Sequence, residues 1–185
     1  MRALVVFESM FGNTEKVAAA VARGLQLEGV DTGLVEVSAA PPRLAAGTDL
    51  LVVGGPTHVF GMSRASTRAD AVRQGAPAER AVTGLREWLE SVEIDVEHAP
   101  TMASFDTRVT KVRWLPKAAG PSAAHVSRRR GLDQLVKPCG FLVDDLRGPL
   151  ADHELERAVA WGRVLGATLI DRAAATGPVR TPGRG

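Results

Sequence analysis

Apolar and polar positions follow two periods along this chain. Residues 3–7 form a continuous apolar run, which predicts a buried strand. From Thr14 the spacing turns helical: Val17, Val21 and Leu25 recur with alanines between them, predicting a helix over residues 14–28 that stops at Gly29. Residues 31–37 alternate loosely and read as a second strand, ended by Pro41-Pro42. Residues 49–55 give the clearest strand, apolar on both faces, a pattern of parallel sheets covered by helices on both sides. Between strands 2 and 3 the chain leaves room only for a short helix around residues 42–46, or none.

Residues 62–80 are polar and arginine-rich, an extended connection with a short helix expected around residues 67–73. Val82, Leu85, Leu89 and Val92 mark one face of a helix over residues 82–92, with Trp88 beside them. Residues 100–105 and 139–143 read as strands 4 and 5. Leu155, Val159, Leu165 and Leu169 stripe a last helix over residues 152–172, with Trp161 on it. Residues 1–173 are expected to form a single domain, and residues 174–185 a disordered C-terminal tail.

This order of elements places the chain among open α/β folds. In such folds ligands sit at the carboxyl ends of the strands, where strand order reverses. The candidate site is therefore the set of loops after strands 1, 3 and 4: residues 9–14, 56–61 and 105–108.

The first loop, Ser9-Met10-Phe11-Gly12-Asn13-Thr14, joins a strand to a helix. Free N–H groups and the helix dipole make such a junction an anion site. Gly12 allows close approach to the backbone, and Ser9 and Thr14 carry hydroxyl donors. Neither the lysine-bearing phosphate-loop motif nor the dinucleotide glycine fingerprint is present, so a phosphomonoester held by dipoles and hydroxyls is the functional reading. A strand-to-helix turn with a polar cap is the alternative.

Composition narrows the picture. The chain has 185 residues, 45% of them hydrophobic and 24% charged, as in ordinary globular domains. It shows no leader-like segment and no apolar stretch of the roughly 20 residues that span a bilayer. Cys139 is the single cysteine, which excludes an internal disulfide and points to the cytoplasm; beside an apolar strand it reads as an inert thiol. The net charge is only +2, but residues 107–132 contain no acid and carry Arg108, Lys111, Arg113, Lys117, Arg128, Arg129 and Arg130. That run reads as a solvated face or as a docking patch for an acidic partner. It lacks the interleaved aromatics of a nucleic-acid platform. His98, His125 and His153 have no metal-ligand spacing, and Gly120-Pro121-Ser122 is not a nucleophile elbow. Asp144-Asp145 lacks the acidic partners of a phosphoryl receiver, because strand 3 ends in Gly54-Gly55.

Three loops in this order resemble the flavodoxin family. Ser9, Met10, Phe11, Gly12, Asn13 and Thr14 match its phosphate loop, and Pro56, Thr57, His58, Val59, Phe60 and Gly61 resemble its flavin-contacting loop after strand 3. Phe105, Asp106, Thr107 and Arg108 fall where its second flavin-flanking loop begins. Gly148-Pro149-Leu150 and Trp161-Gly162 resemble the family's last helix and its approach.

The resemblance implies a flavodoxin-like, doubly wound, five-stranded parallel sheet of order 2-1-3-4-5 in three α/β/α layers. It implies non-covalent FMN, and an electron-transfer protein or small FMN-dependent oxidoreductase that meets a redox partner protein. His58 and Phe60 would flank one face of the flavin; Phe105 or Trp114 would flank the other. The chain departs from the family in placing Phe11 where a third hydroxyl is common, in having no tyrosine, and in the length of residues 62–80. Two other readings remain open: a flavin-free binding module of the same fold, and a nucleic-acid-associated protein using the basic run. The sequence carries no signal for oligomeric state.

Overall fold

The structure is a computed structural model that describes residues 1–58, 61–95, 97–112 and 118–176. The apolar runs pair as strands β1 (Arg2–Phe7), β2 (Asp31–Glu36), β3 (Leu50–Pro56), β4 (Thr101–Val109) and β5 (Cys139–Val143). They form one parallel sheet in the order β2-β1-β3-β4-β5, as expected. The order reverses between β1 and β3, so the loops leaving those two strands diverge and leave a crevice.

Successive side chains of a strand point to opposite faces, and the two cores divide accordingly. Val5 and Phe7 pack with Val17, Val21 and Leu25 of α1 (Asn13–Leu27) and with Ala158, Leu165 and Leu169 of α5 (Glu154–Thr176). Val6, Leu51 and Val53 pack on the other face with Leu85, Trp88 and Leu89 of α3 (Leu85–Ser91) and with Ala119 and Ala123 of α4 (Ala119–Arg129). On the first face α1 and α5 meet backbone to backbone. A Cβ on Gly24 would lie 2.3 Å from the Val159 carbonyl, and one on Gly162 would lie 2.2 Å from the Val21 carbonyl. That contact fixes where α1 starts, and so where the loop before it stands. None of the described helices is long and apolar enough to cross a membrane.

Between β2 and β3 the second of the two expected outcomes holds: residues 40–49 hold no helix, and only the short 3-10 turn Val37–Ala39 follows β2. Pro41 and Pro42 lack the N–H groups a helix needs, and Trp88 covers the gap, its indole nitrogen donating to the Pro41 carbonyl at 3.0 Å. Three other elements differ from the sequence expectation. Strand β4 runs on to Val109, so residues 105–108 are strand rather than loop. Helix α4 was not foreseen. Its buried face is small, Ala119, Gly120, Ala123, Ala124 and Ser127, and gives no hydrophobic stripe to read. Helix α5 continues to Thr176, past the boundary expected at residue 173; residues 177–185 of the expected tail lie outside the described residues. Between β3 and α3 the chain forms α2 (Ala65–Arg73) and the 3-10 turn Ala78–Ala81.

Candidate functional site

The loop before α1 is built around Ser9. Its hydroxyl oxygen accepts from the N–H of Gly12 at 3.1 Å and of Glu15 at 3.3 Å, closing the turn from inside. Gly12 is the N-cap at φ 85°, a left-handed conformation that favours glycine. With Ser9 serving those two amides, the N–H groups of Phe11, Asn13 and Thr14 have no acceptor among the described residues. Three unpaired donors on the positive end of a 15-residue helix form an anion cradle. The Thr14 hydroxyl shares a buried 2.8 Å hydrogen bond with the Thr107 hydroxyl at the end of β4.

The second loop turns tightly after β3. His58 and Gly61 exchange backbone hydrogen bonds, His58 N to Gly61 O at 3.0 Å and Gly61 N to His58 O at 3.1 Å. Val59 and Phe60, between them, lie outside the described residues, as does Trp114. His58 is partly buried, and its Nε2 has no partner among the described residues. Burial, and then the nearby Arg68 guanidinium, hold its imidazole below the usual histidine range, so it is neutral at neutral pH. Thr57 does not face a ligand alone: its hydroxyl accepts from the Ala119 N–H at 3.0 Å and donates to Asp106 at 3.2 Å.

Strand β4 brings only part of its expected set to the cavity. Thr107 and Arg108 line it. Phe105 does not: its ring is fully buried beneath the site. It occupies the space that a Cβ on Gly54 would take, 1.9 Å from the Phe105 Cζ, and packs edge-on against Phe141 and Trp161 with centroids 5.9 and 6.1 Å away. The expectation that Phe105 flanks a flavin is therefore corrected; alternation along a strand that continues to Val109 turns it into the α1–α5 core. Asp106 is also fully buried and outside the lining. It holds Arg108 by two bonds of 2.6 and 2.7 Å and accepts from the Gly120 N–H at 3.0 Å, tying the cavity floor to the start of α4.

The far wall comes from residues 62–80, where the sequence predicted a short helix but no part in the site. Thr67, Asp70, Ala71 and Gln74 of α2 and its end face residues 9–14, and Met10 and Phe11 pack against Ala71 and Ala76. Arg147 ties this wall to the loop after β5: it donates to the Gln74 carbonyl and sits 6.0 Å from the Phe11 ring centre. The cavity measures about 340 Å³, and Pro56, Val109, Val143 and Leu146 add to its largely apolar lining. A second cavity of about 650 Å³ opens at the opposite end of the sheet, beside Ala45, Gly47 and Pro100. No described helix begins at it.

Beneath the site, Glu8 is buried with Oε2 accepting from the Leu85 N–H at 2.8 Å and no hydrogen bond to Oε1 among the described residues. Burial raises its carboxyl above the ordinary range, against the opposing pull of that backbone bond. Arg68 is buried there too, bonded to Glu87 at 3.1 and 3.3 Å and to Ser63 at 3.1 Å. It is therefore not a free surface cation. Nor do Arg128, Arg129 and Arg130 converge on the cavity. Helix α4 starts there, against Thr57 and Asp106, and its 11 residues carry its end about 16 Å away, where Arg130 caps the Leu89 carbonyl at 2.8 Å. Cys139 is partly buried with the Arg157 guanidinium 3.4 Å from its sulfur, and burial pushes the thiol up, as suits an inert side chain.

A parallel 2-1-3-4-5 sheet with an anion cradle before its first helix and a cavity over β1, β3 and β4 defines a flavodoxin-like protein. A sequence model of the flavodoxin family matches residues 5–94, which carry the first two loops. Similar solved structures include a flavodoxin from the domain Archaea, 18% identical, with a TM-score of 0.63 over 92% of this chain and 99% of that one. Oxidised flavodoxin 1 from Bacillus cereus is 16% identical, with a TM-score of 0.60 over 92% of this chain and 98% of that one. The flavodiiron protein from Giardia intestinalis is 18% identical, with a TM-score of 0.60 over 96% of this chain but only 38% of that one. The resemblance read in the sequence thus stands, and the fold is that of the flavodoxins.

Proposed function

We propose that this chain binds FMN without covalent attachment and passes electrons to or from a redox partner protein. The observation that carries the reading is the set of unpaired N–H groups of Phe11, Asn13 and Thr14 at the start of α1, opening onto an apolar cavity. The residues present fit the group. A phosphate dianion suits amide donors and a helix dipole with no cation in the loop. A flat ring suits the apolar lining, and the unpartnered Nε2 of His58 offers it a polar contact.

Bound FMN would supply one- and two-electron transfer. The protein's own part is placement. The first turn of α1 and the Thr14–Thr107 hydroxyl pair hold the phosphate end. Pro56, Thr57 and His58 would limit one side of the ring, and the α2 wall the other. Arg108 stands as a cation at the cavity, but Asp106 binds it by two bonds and offsets much of its charge.

A partner would approach the open edge near Arg64, Lys111 and Arg147, all exposed. Those three cations are the remaining support for an acidic partner. A cytoplasmic setting rests on the lone Cys139. The first test is the visible spectrum of the purified protein, alone and after reconstitution with FMN. Flavin absorbance at one per chain supports the reading. A protein that stays colourless and does not quench FMN fluorescence favours a flavin-free binding module instead.

A further inference from the structure

One guanidinium reaches the phosphate loop from behind. Arg80, in the 3-10 turn Ala78–Ala81, donates to the Ser9 carbonyl at 3.2 Å, across 71 residues of chain. The same side chain lies 2.9 Å from a Glu15 carboxylate oxygen. Glu15 is the third residue of α1, so its charge stands in the turn that carries the Asn13 and Thr14 N–H groups, which have no acceptor among the described residues. A carboxylate there suits the helix and opposes the ligand. It occupies the positive end of the dipole and repels an incoming dianion. Arg80 offsets that charge in place. Ser9 makes the arrangement more specific: its hydroxyl closes the turn on Gly12 and Glu15 while its carbonyl is held by Arg80. The guanidinium thus grips the first residue of the turn and the carboxylate of the residue that closes it. Arg80 lies outside the cavity lining, so it acts through these two residues.

We propose that Arg80 is a positioning residue for the phosphate group, neutralising Glu15 and anchoring Ser9 so that a loop with no cation of its own holds a phosphomonoester dianion. The inference rests on reading residues 9–14 as the phosphate loop. The loop's missing cation is supplied by the long connection after β3 rather than by the motif.

The test is the affinity of the full chain for FMN and for riboflavin, which lacks the phosphate, by quenching of flavin fluorescence. Wild type is compared with Arg80→Ala, Arg80→Lys, Glu15→Gln and the Arg80→Ala/Glu15→Gln double variant. The pair is partly exposed, so the loss expected for Arg80→Ala with FMN is about five-fold, with riboflavin unchanged. Glu15→Gln in the Arg80→Ala background restores most of that loss, and Arg80→Lys retains part of the wild-type preference. If Arg80→Ala does not fold, Glu15→Gln alone still decides: its FMN affinity must equal or exceed wild type. Equal losses for both ligands, no loss at all, a loss that Glu15→Gln does not restore, or weaker FMN binding in Glu15→Gln alone would overturn the role of Arg80. A wild type that binds riboflavin as well as FMN would instead overturn the phosphate-loop reading, and the inference with it.

Discussion

Thr14 and Thr107 share a buried hydroxyl–hydroxyl hydrogen bond of 2.8 Å that joins the first turn of α1 to the end of β4. One hydroxyl donates to the other, so a single proton remains for a ligand. A helix start and a strand end that the sequence separates by 93 positions are thereby one unit. Thr14→Ala should weaken FMN by about 1–3 kcal/mol, the usual loss for a hydrogen bond to a charged group. Riboflavin affinity should barely change. Thr107→Val should reproduce much of the loss, and the double variant should lose less than the sum of the two. Titration of flavin fluorescence with all three variants checks this; strictly additive losses would mean that the hydroxyls act separately.

Phe105 carries stability rather than binding. Phe105→Ala removes a fully buried ring from the Phe141 and Trp161 cluster and should cost about 3–5 kcal/mol in urea unfolding. Gly54→Ala should also destabilise, by about 1–3 kcal/mol, because its Cβ would enter the Phe105 ring. Flavin affinity of the folded fraction should remain near wild type in Phe105→Ala. A selective loss of flavin binding with unchanged stability would restore Phe105 to the site.

Glu8 should give stability a pH dependence of known sign. Its folded carboxyl titrates above the ordinary value of 4.5, so the folded state binds the proton more tightly than the unfolded chain. Its contribution is present in full below the unfolded value and is lost as pH rises through the folded one. Glu8→Gln keeps an acceptor for the Leu85 N–H and stays neutral. The two proteins should match at low pH, and the variant should gain on wild type as pH rises toward neutrality. Urea unfolding across that range measures it; a variant that loses ground with rising pH would reverse the assignment.

Much of this was legible in the sequence. The apolar run at residues 49–55 declared a parallel sheet, and residues 9–14 gave the cradle because a strand, a glycine and a helix start are local features. What failed was long-range. Whether Phe105 faces a ligand depends on where β4 ends, and that depends on pairing with β5, which continues to Val109 opposite Val143. Helix α4 hid because its buried face is alanine, glycine and serine. The short helix expected around residues 67–73 is α2, but nothing in the sequence placed it as a cavity wall, and Arg80 carries no motif.

The basic run illustrates the same limit. Seen in sequence, Arg128, Arg129 and Arg130 continue from the flavin-side loop, but α4 carries them to the far end of the sheet. Changing all three to Ala should leave the ionic-strength dependence of electron transfer unaltered. Stopped-flow rates with acidic and basic acceptors over a range of salt test this. A triple variant that loses a preference for the acidic acceptor would place the partner on α4 after all.

The central claim is that residues 9–14 hold the phosphate of a flavin whose ring lies in the adjoining cavity. The most direct measurement is a calorimetric titration of the flavin-free full chain with FMN and, in parallel, with riboflavin. The account predicts one FMN per chain, bound more tightly than riboflavin by a margin that narrows as inorganic phosphate is added. Equal affinity for the two flavins, or no binding of either, would contradict it.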